Sequence, residues 1–143
     1  GCSDIHIFSR FLGILMEFKY DPQNRRLIEG WNLIFYDTED TIHLSMEEYE
    51  QLAFDFNWNG MIDCAFRTYH RGIEAGYKEL IPLLGELYEQ NDDLENAYRC
   101  YLEAALINDL NGIKNLSRMY KKGIYVQKDE KKAKKLNMLS KKR

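Results

Sequence analysis

Residues Leu80 to Ala105 read LIPLLGELYEQNDDLENAYRCYLEAA, and they contain two helical patterns separated by a short polar turn. The chain repeats the first of these patterns at a spacing of 32 residues, with an apolar, a small, an aromatic and a turn residue at matching places: Leu52-Ala53-x-x-Phe56-x-x-Asn59, Leu84-Gly85-x-x-Tyr88-x-x-Asn91 and Leu116-Ser117-x-x-Tyr120-x-x-Gly123. A fixed period in this range is typical of stacked helix pairs. We therefore predict an all-α fold, a right-handed solenoid of antiparallel helix pairs.

The period also predicts how the chain is divided. We expect one domain over residues 1–143, with an N-terminal cap or degenerate repeat at 1–44 and three repeats at 45–79, 80–111 and 112–143.

Local signals predict where the helices begin, end and cross. Ser45-Met46-Glu47-Glu48 is a capping-box pattern, which predicts a helix from Met46 to Trp58. The repeated turn residues, Asn59, Asn91 and Gly123, are expected to end the first helices in the left-handed conformation. The small residues Ala53, Gly85 and Ser117 are expected where helices cross, with aromatic residues such as Tyr101 packed beside them.

These repeats resemble the Sel1-like family of tetratricopeptide-like helical repeats, over roughly residues 48–143. Leu116 to Ala133 carries the resemblance best, because it includes the long loop Lys122-Gly123-Ile124-Tyr125-Val126-Gln127-Lys128-Asp129. Ala53 and Ser117 depart from the family pattern, which has glycine there. The resemblance implies a protein-binding scaffold or adaptor that holds its partner on a concave wall lined by the first helix of each pair.

The N-terminal residues 1–44 have two interpretations. Apolar residues at helical spacing favour a helix over residues 1–20 and a second helix after Asp21-Pro22, which would form a degenerate repeat. The alternative is a short antiparallel sheet, because Tyr20 to Asn24 suits a turn between strands and the segments 32–36 and 41–44 are rich in β-formers. The echo of the repeat favours helices.

Composition argues for a protein without a membrane span and against an enzyme. No apolar run reaches transmembrane length. The odd number of cysteines, three, suits a cytoplasmic protein, with Cys64 and Cys100 as buried, reduced thiols on packed helix faces. The chain lacks a glycine-rich phosphate loop, Gly-x-Ser-x-Gly and His-Glu-x-x-His, and its three histidines are isolated. We predict no catalytic, cofactor or metal site.

The charge is divided unevenly along the chain. Arg118 to Arg143 has eleven basic and two acidic residues, a net charge of +9, whereas residues 1–117 have a net charge of −12. The lysines surround Ala133 and Leu136 as in the outer face of a terminal helix, without interleaved aromatic residues. We therefore expect no nucleic acid as a partner.

The predicted partner-binding residues are those that helical spacing leaves exposed on the first helix of each pair. This wall runs from acidic with two aromatic residues to basic: Glu47, Glu50, Phe54, Trp58, Glu79, Glu86, Glu89, Lys114, Arg118 and Lys121.

Three functions remain open. The first is a scaffold or adaptor that binds a protein on its concave face. The second is an immunity or antitoxin-type protein that neutralises one toxin, since a steep charge difference suits fast capture. The third is a secreted or cell-envelope protein of the same family, for which Gly1-Cys2-Ser3 resembles the start of a processed bacterial lipoprotein.

Overall fold

The computed structural model of this protein describes residues 5–11, 14–21, 26–29 and 44–141. The chain falls into two compact units, Gly1–Gly76 and Tyr77–Arg143, and each is described by itself. The first unit contains β1 (Ile5–Phe11), β2 (Ile14–Asp21), β3 (Arg26–Glu29), α1 (Met46–Trp58) and α2 (Ile62–Glu74). The second contains a 3₁₀ turn (Lys78–Leu80), α3 (Ile81–Gln90), α4 (Leu94–Leu106), α5 (Leu110–Lys122) and α6 (Glu130–Lys141).

The N-terminal strands form an antiparallel sheet of order β1-β2-β3. The Cα pairing of the first two strands runs from Ile5 with Tyr20 to Phe11 with Ile14. The preferred prediction of helices in this segment is therefore wrong, and the short-sheet alternative describes it. Its turn also falls where that alternative has it, since β2 ends at Asp21 and β3 begins at Arg26. The strand segments that this alternative names are 32–36 and 41–44; residues 32–36 and 41–43 lie outside the described residues, and Leu44 is not part of a strand.

The sequence of the second strand contains a pattern that favours a strand over a helix. From Ile14 to Asp21 the order is ILMEFKYD, in which apolar residues alternate with polar or charged ones after the first pair. This period of two fits a strand better than a helix. The helical interpretation rests on apolar residues at helical spacing and on the similarity of Leu12-Gly13-x-Leu15-Met16-Glu17 to Leu84-Gly85-x-Leu87-Tyr88-Glu89, but the alternation within the segment is the stronger signal.

From Leu44 to Lys141 every regular element is a helix, and adjacent helices pack in pairs. The predicted helix from Met46 to Trp58 is confirmed with the same bounds. It begins with the predicted capping box, in which Ser45 Oγ accepts from the Glu48 amide at 3.2 Å and Glu48 Oε1 accepts from the Ser45 amide at 2.8 Å. Two orphan amides at the helix start are thereby satisfied.

In the second unit, each helix packs on the next along the chain, and α3 also contacts α5. Small residues lie at these crossings, as predicted. A Cβ on Gly85 would lie 2.7 Å from Cε1 of Tyr101, and one on Gly112 would collide with Ala104. Ser117 Oγ donates to the carbonyl of Ala133 at 2.8 Å, which ties α5 to α6. Close helix approach at these points lets one core form around Tyr101, which is fully buried.

The helix ends differ in part from expectation. Asn59, Asn91 and Gly123 cap α1, α3 and α5, as their repeated positions predict. Only Gly123 adopts the expected left-handed conformation, with φ 69°. Asn59 and Asn91 have negative φ, and each donates its side-chain amide to the carbonyl four residues earlier at 2.8 Å. The left-handed residue is the following one, Gly60 or Asp92 in these two helices.

Cys64 and Cys100 are both buried thiols, as the sequence predicts. Burial raises the pKa of Cys100 to about 12, so this thiol is held neutral and unreactive at physiological pH. Cys2 lies outside the described residues. None of the helices in the described ranges has the length and hydropathy that a membrane span requires.

Candidate functional site

Helix α1 presents an acidic and aromatic stripe on its outer side. Glu47, Glu50, Phe54 and Trp58 are all exposed, and their spacing of three or four residues places them on one face. The opposite face carries the buried residues Tyr49, Leu52, Ala53 and Phe56. The core of the first unit is therefore built without the four stripe residues.

Phe54 and Trp58 form a stacked pair within this stripe. Their ring centroids are 6.3 Å apart and their planes differ by 16°. The exposed fraction is 57% for Phe54 and 80% for Trp58. Since the two rings lie four residues apart on one helix, they form a continuous apolar surface that faces solvent.

The second unit has an open groove between α3 and α5, with a volume of about 320 Å³. Tyr101 of α4 also lines it. The other lining residues are polar or charged and come from the two first helices of neighbouring pairs: Glu86, Glu89 and Gln90 of α3, and Asn115 and Arg118 of α5. Within this unit, the first helices of the two pairs thus lie side by side.

A hydrogen-bond network fixes the charges of this groove. Arg118 donates from Nη1 to Glu89 Oε2 at 2.9 Å and from Nη2 to Glu89 Oε1 at 2.5 Å. The Tyr101 hydroxyl donates to Glu89 Oε1 at 2.9 Å, and Asn115 Oδ1 accepts from Arg118 at 3.2 Å. The bidentate geometry is the one that guanidinium and carboxylate groups prefer.

The network shifts the acidity of its members. Hydrogen bonds from Arg118 lower the pKa of Glu89 below its usual value, although partial burial acts in the opposite direction. The same bonds raise the pKa of Arg118. Burial, followed by the hydrogen bond to Glu89, raises the pKa of Tyr101. Glu89 and Arg118 therefore remain charged, and Tyr101 neutral, across the physiological pH range.

The ten predicted partner-binding residues divide between the two units. Glu47, Glu50, Phe54 and Trp58 lie on α1 of the first unit, and the other six lie in the second. Of these six, the groove brings together Glu86, Glu89 and Arg118. Glu79, Lys114 and Lys121 are exposed and are not among the residues that line it. Glu89 and Arg118 are half-buried, so both also contribute to packing between α3 and α5.

Sequence reasoning assigned Tyr101 to packing alone and missed its hydroxyl contact with Glu89. It also missed a tyrosine cluster at the α4–α5 crossing, where the hydroxyls of Tyr98 and Tyr120 are 2.8 Å apart. Tyr125 lies 5.5 Å from Tyr98, measured between ring centroids, and Lys132 lies over the ring of Tyr120 at 4.7 Å. The only sequence signal for this cluster is the number of tyrosines, ten in 143 residues.

The described residues contain no group of three or more His, Cys, Asp or Glu side chains arranged to hold a metal ion. What the site offers is two kinds of contact surface, an aromatic pair on α1 and a groove with fixed charges between α3 and α5. No family model matches this sequence, and no curated protein sequence matches it significantly.

Proposed function

We propose that this protein is a protein-binding scaffold or adaptor, built as a solenoid of Sel1-like helical repeats, and that it binds its partner through the exposed residues of its first helices. The stacked pair of Phe54 and Trp58 carries this proposal. Large aromatic side chains are the commonest anchors of protein interfaces, since each buries a large area and loses little conformational freedom.

The position of the pair supports a role in binding over a role in folding. Leu52 and Phe56 on the same helix are 0% and 3% exposed, so helix α1 has a complete buried face of its own. Trp58 is left with four-fifths of its surface in water. Covering the two rings with a partner would contribute about 25 cal/mol for each Å² of apolar surface removed from water. Glu47 and Glu50 at the other end of the stripe would add electrostatic attraction for a basic segment.

The groove in the second unit supports a polar contact. Its charges are fixed before binding, because Arg118 and Glu89 hold each other in one geometry. Prearranged polar groups reduce the entropic cost of association and favour a defined partner orientation. A catalytic role for Glu89 is disfavoured, because its lowered pKa makes it a poor proton acceptor near neutral pH.

An affinity-capture experiment tests this proposal. Wild-type protein and the variant Phe54→Ala/Trp58→Ala are immobilised and exposed to an extract of the source cells, and retained proteins are identified by mass spectrometry. The matched control is Leu106→Ala, which truncates a side chain that is 76% exposed on α4, outside the stripe. We expect the wild type and the control to retain the same proteins and the double variant to lose them. Equal retention by all three would contradict a role for the aromatic pair.

The alternative of an immunity or antitoxin-type protein rests on the charge division of the chain, net −12 over residues 1–117 and +9 over Arg118 to Arg143. A charge separation of this size accelerates association with an oppositely charged partner at low salt. The same affinity-capture experiment distinguishes a scaffold from a neutralising protein. A scaffold retains several proteins that wash off at moderate salt, whereas a neutralising protein retains one protein in a tight complex of fixed stoichiometry.

A further inference from the structure

The described residues contain a second exposed stripe, of opposite charge, on α6. Ala133 is buried and Leu136 half-buried against the core around Tyr101, so this face of α6 is used within the unit. The side turned away from that face carries exposed residues at helical spacing: Lys131, Lys134, Lys135, Met138 and Leu139. Met138 and Leu139 are 59% and 56% exposed.

The stripes of α1 and α6 match in order and in spacing. In α1, the acidic residues Glu47 and Glu50 precede the aromatic Phe54 by seven and four positions. In α6, the basic residues Lys131 and Lys134 precede the apolar Met138 by the same seven and four positions. Two helices aligned in parallel would thus place each glutamate opposite a lysine and the phenylalanine ring opposite the methionine side chain.

We propose that the partner of the α1 stripe is a second copy of this chain, which contributes the α6 stripe. This inference rests on the proposed function, since it identifies what the exposed residues of α1 bind. Methionine suits such a contact, because its flexible thioether adapts to an aromatic surface and interacts favourably with it. The charged pairs at the other end would set the direction and register of the two helices, as charged positions do in paired helices generally.

The charge pattern favours this occupant over others. Nucleic acid would be repelled by Glu47 and Glu50, and a neutral apolar peptide would leave both carboxylates without counter-charges. The parallel alignment places two helix dipoles side by side, which opposes association weakly and is screened by salt. The two charged pairs act in the favourable direction at the same end of the interface.

The contact joins two different surfaces, so it is heterologous. Each added copy leaves one α1 stripe and one α6 stripe open. Assembly therefore either closes into a ring or continues as an open filament of copies. A single pair of short helices buries less than the ~1,200 Å² of a standard interface, so we expect weak association that requires a high protein concentration. The attraction between charged side chains also predicts weaker association at high salt.

Sedimentation equilibrium with charge-swapped variants tests the proposal. Glu47→Lys/Glu50→Lys and Lys131→Glu/Lys134→Glu should each remain at the mass of one chain, 17.0 kDa, where the wild type shows a higher average mass. An equimolar mixture of the two variants should regain association, because the reversed α1 stripe of one variant then faces the reversed α6 stripe of the other, and their unchanged stripes face each other as in the wild type. A direct contact between these two stripes predicts this recovery.

Controls separate the contact from folding and from net charge. The four residues are exposed, and Glu48 of the capping box is left intact, so the variants should remain folded. Glu47→Lys places a positive charge in the first turn of α1, which should lower the melting temperature slightly. Arg67→Glu/Lys78→Glu makes the same charge change as Lys131→Glu/Lys134→Glu at exposed positions outside both stripes, and it should associate like the wild type. Should a charge reversal alter the melt, Glu47→Gln/Glu50→Gln serves as the milder variant.

The outcomes distinguish this inference from the proposed function. A wild type that stays at the mass of one chain at several hundred micromolar would overturn the inference, and so would a mixture that fails to recover association. A further outcome is that the wild type fails to self-associate while the Phe54→Ala/Trp58→Ala variant still loses capture of another protein. In that case the proposed function stands and the inference of self-association is wrong. If neither occurs, both are wrong.

Discussion

Arg118 on α5 donates to both carboxylate oxygens of Glu89 on α3, at 2.9 and 2.5 Å, although the two residues are 29 positions apart in the chain. The pair is part of a groove wall and also a link between the first helices of neighbouring pairs. A residue on the predicted binding wall thus also contributes to stability, which changes how variants at this position are interpreted.

Glu89→Gln should destabilise the protein by about 1–2 kcal/mol, because it removes a charge-assisted bidentate contact and weakens the acceptor of the Tyr101 hydroxyl. Urea unfolding of wild type and variant gives this value. Glu86→Gln is the matched control, since Glu86 lines the same groove but is exposed, and its effect should be within about 0.5 kcal/mol. Equal effects of the two substitutions would mean that the ion pair adds no stability.

The same pair predicts a dependence of stability on pH. Glu89 has a lowered pKa in the folded protein, against 4.5 as the ordinary value, so the unfolded chain binds its proton first as pH falls. Its contribution is therefore fully present well above pH 4.5 and is lost as pH falls through the folded pKa. The melting temperatures of wild type and Glu89→Gln should converge below pH 4.5. A constant difference down to pH 2 would contradict this assignment.

Gly112→Ala should destabilise the protein more than Gly85→Ala. The new methyl group would collide with Cβ of Ala104 and lie 2.9 Å from backbone atoms of Ala104 and Ala105, so α4 and α5 must separate. At Gly85 the nearest atoms belong to the side chains of Tyr101 and Cys100, at 2.7 and 3.0 Å. Overpacking should lower the free energy of unfolding by about 1–3 kcal/mol, and the higher helix propensity of alanine should offset about 1 kcal/mol of this loss.

Chemical denaturation of the two glycine variants measures this order, with Lys114→Ala on the exposed side of α5 as the control. A Gly112→Ala variant as stable as the wild type would show that α4 and α5 are not in close contact there.

Leu84→Ala tests the register of the repeat. Leu84 is 4% exposed at the centre of α3, and truncation of a buried leucine costs about 2–5 kcal/mol. Thermal melting should show a clear drop, whereas Leu106→Ala at an exposed position should leave the melt nearly unchanged. A small effect of Leu84→Ala would mean that α3 does not bury this face.

The sequence predicts the helical part of the fold well because its signals there are local. The capping box at Ser45 and Glu48, the apolar spacing within each helix and the repeated turn residues all lie within a few positions of the feature they specify. The expected conformation of Asn59 and Asn91 failed for a local reason as well. An asparagine side chain can donate directly to the carbonyl four residues earlier, and the left-handed conformation is then adopted by the next residue.

The groove cannot be predicted from local sequence signals. Helical spacing predicts that Glu89 and Arg118 belong to the partner-binding residues. Their contact with each other depends on how far neighbouring helix pairs are shifted and rotated, which the spacing does not specify. The N-terminal sheet is only the second choice of the sequence analysis, because the pairing of Ile5 with Tyr20 is also non-local and a weak similarity to the repeat is given more weight than a clear alternation. The aromatic pair at Phe54 and Trp58 was recognised from spacing, whereas its exposure is a finding of the structure.

The fluorescence of Trp58 tests the central claim most directly, because binding must cover this side chain. The chain has two tryptophans, so Trp31→Phe leaves Trp58 as the sole emitter once a melt shows that the variant folds like the wild type. We predict that titration with the captured partner shifts the emission to shorter wavelength and protects it from acrylamide, since an 80% exposed ring becomes buried. Binding that leaves both the emission and the quenching unchanged would contradict the account, because the partner would then dock away from α1.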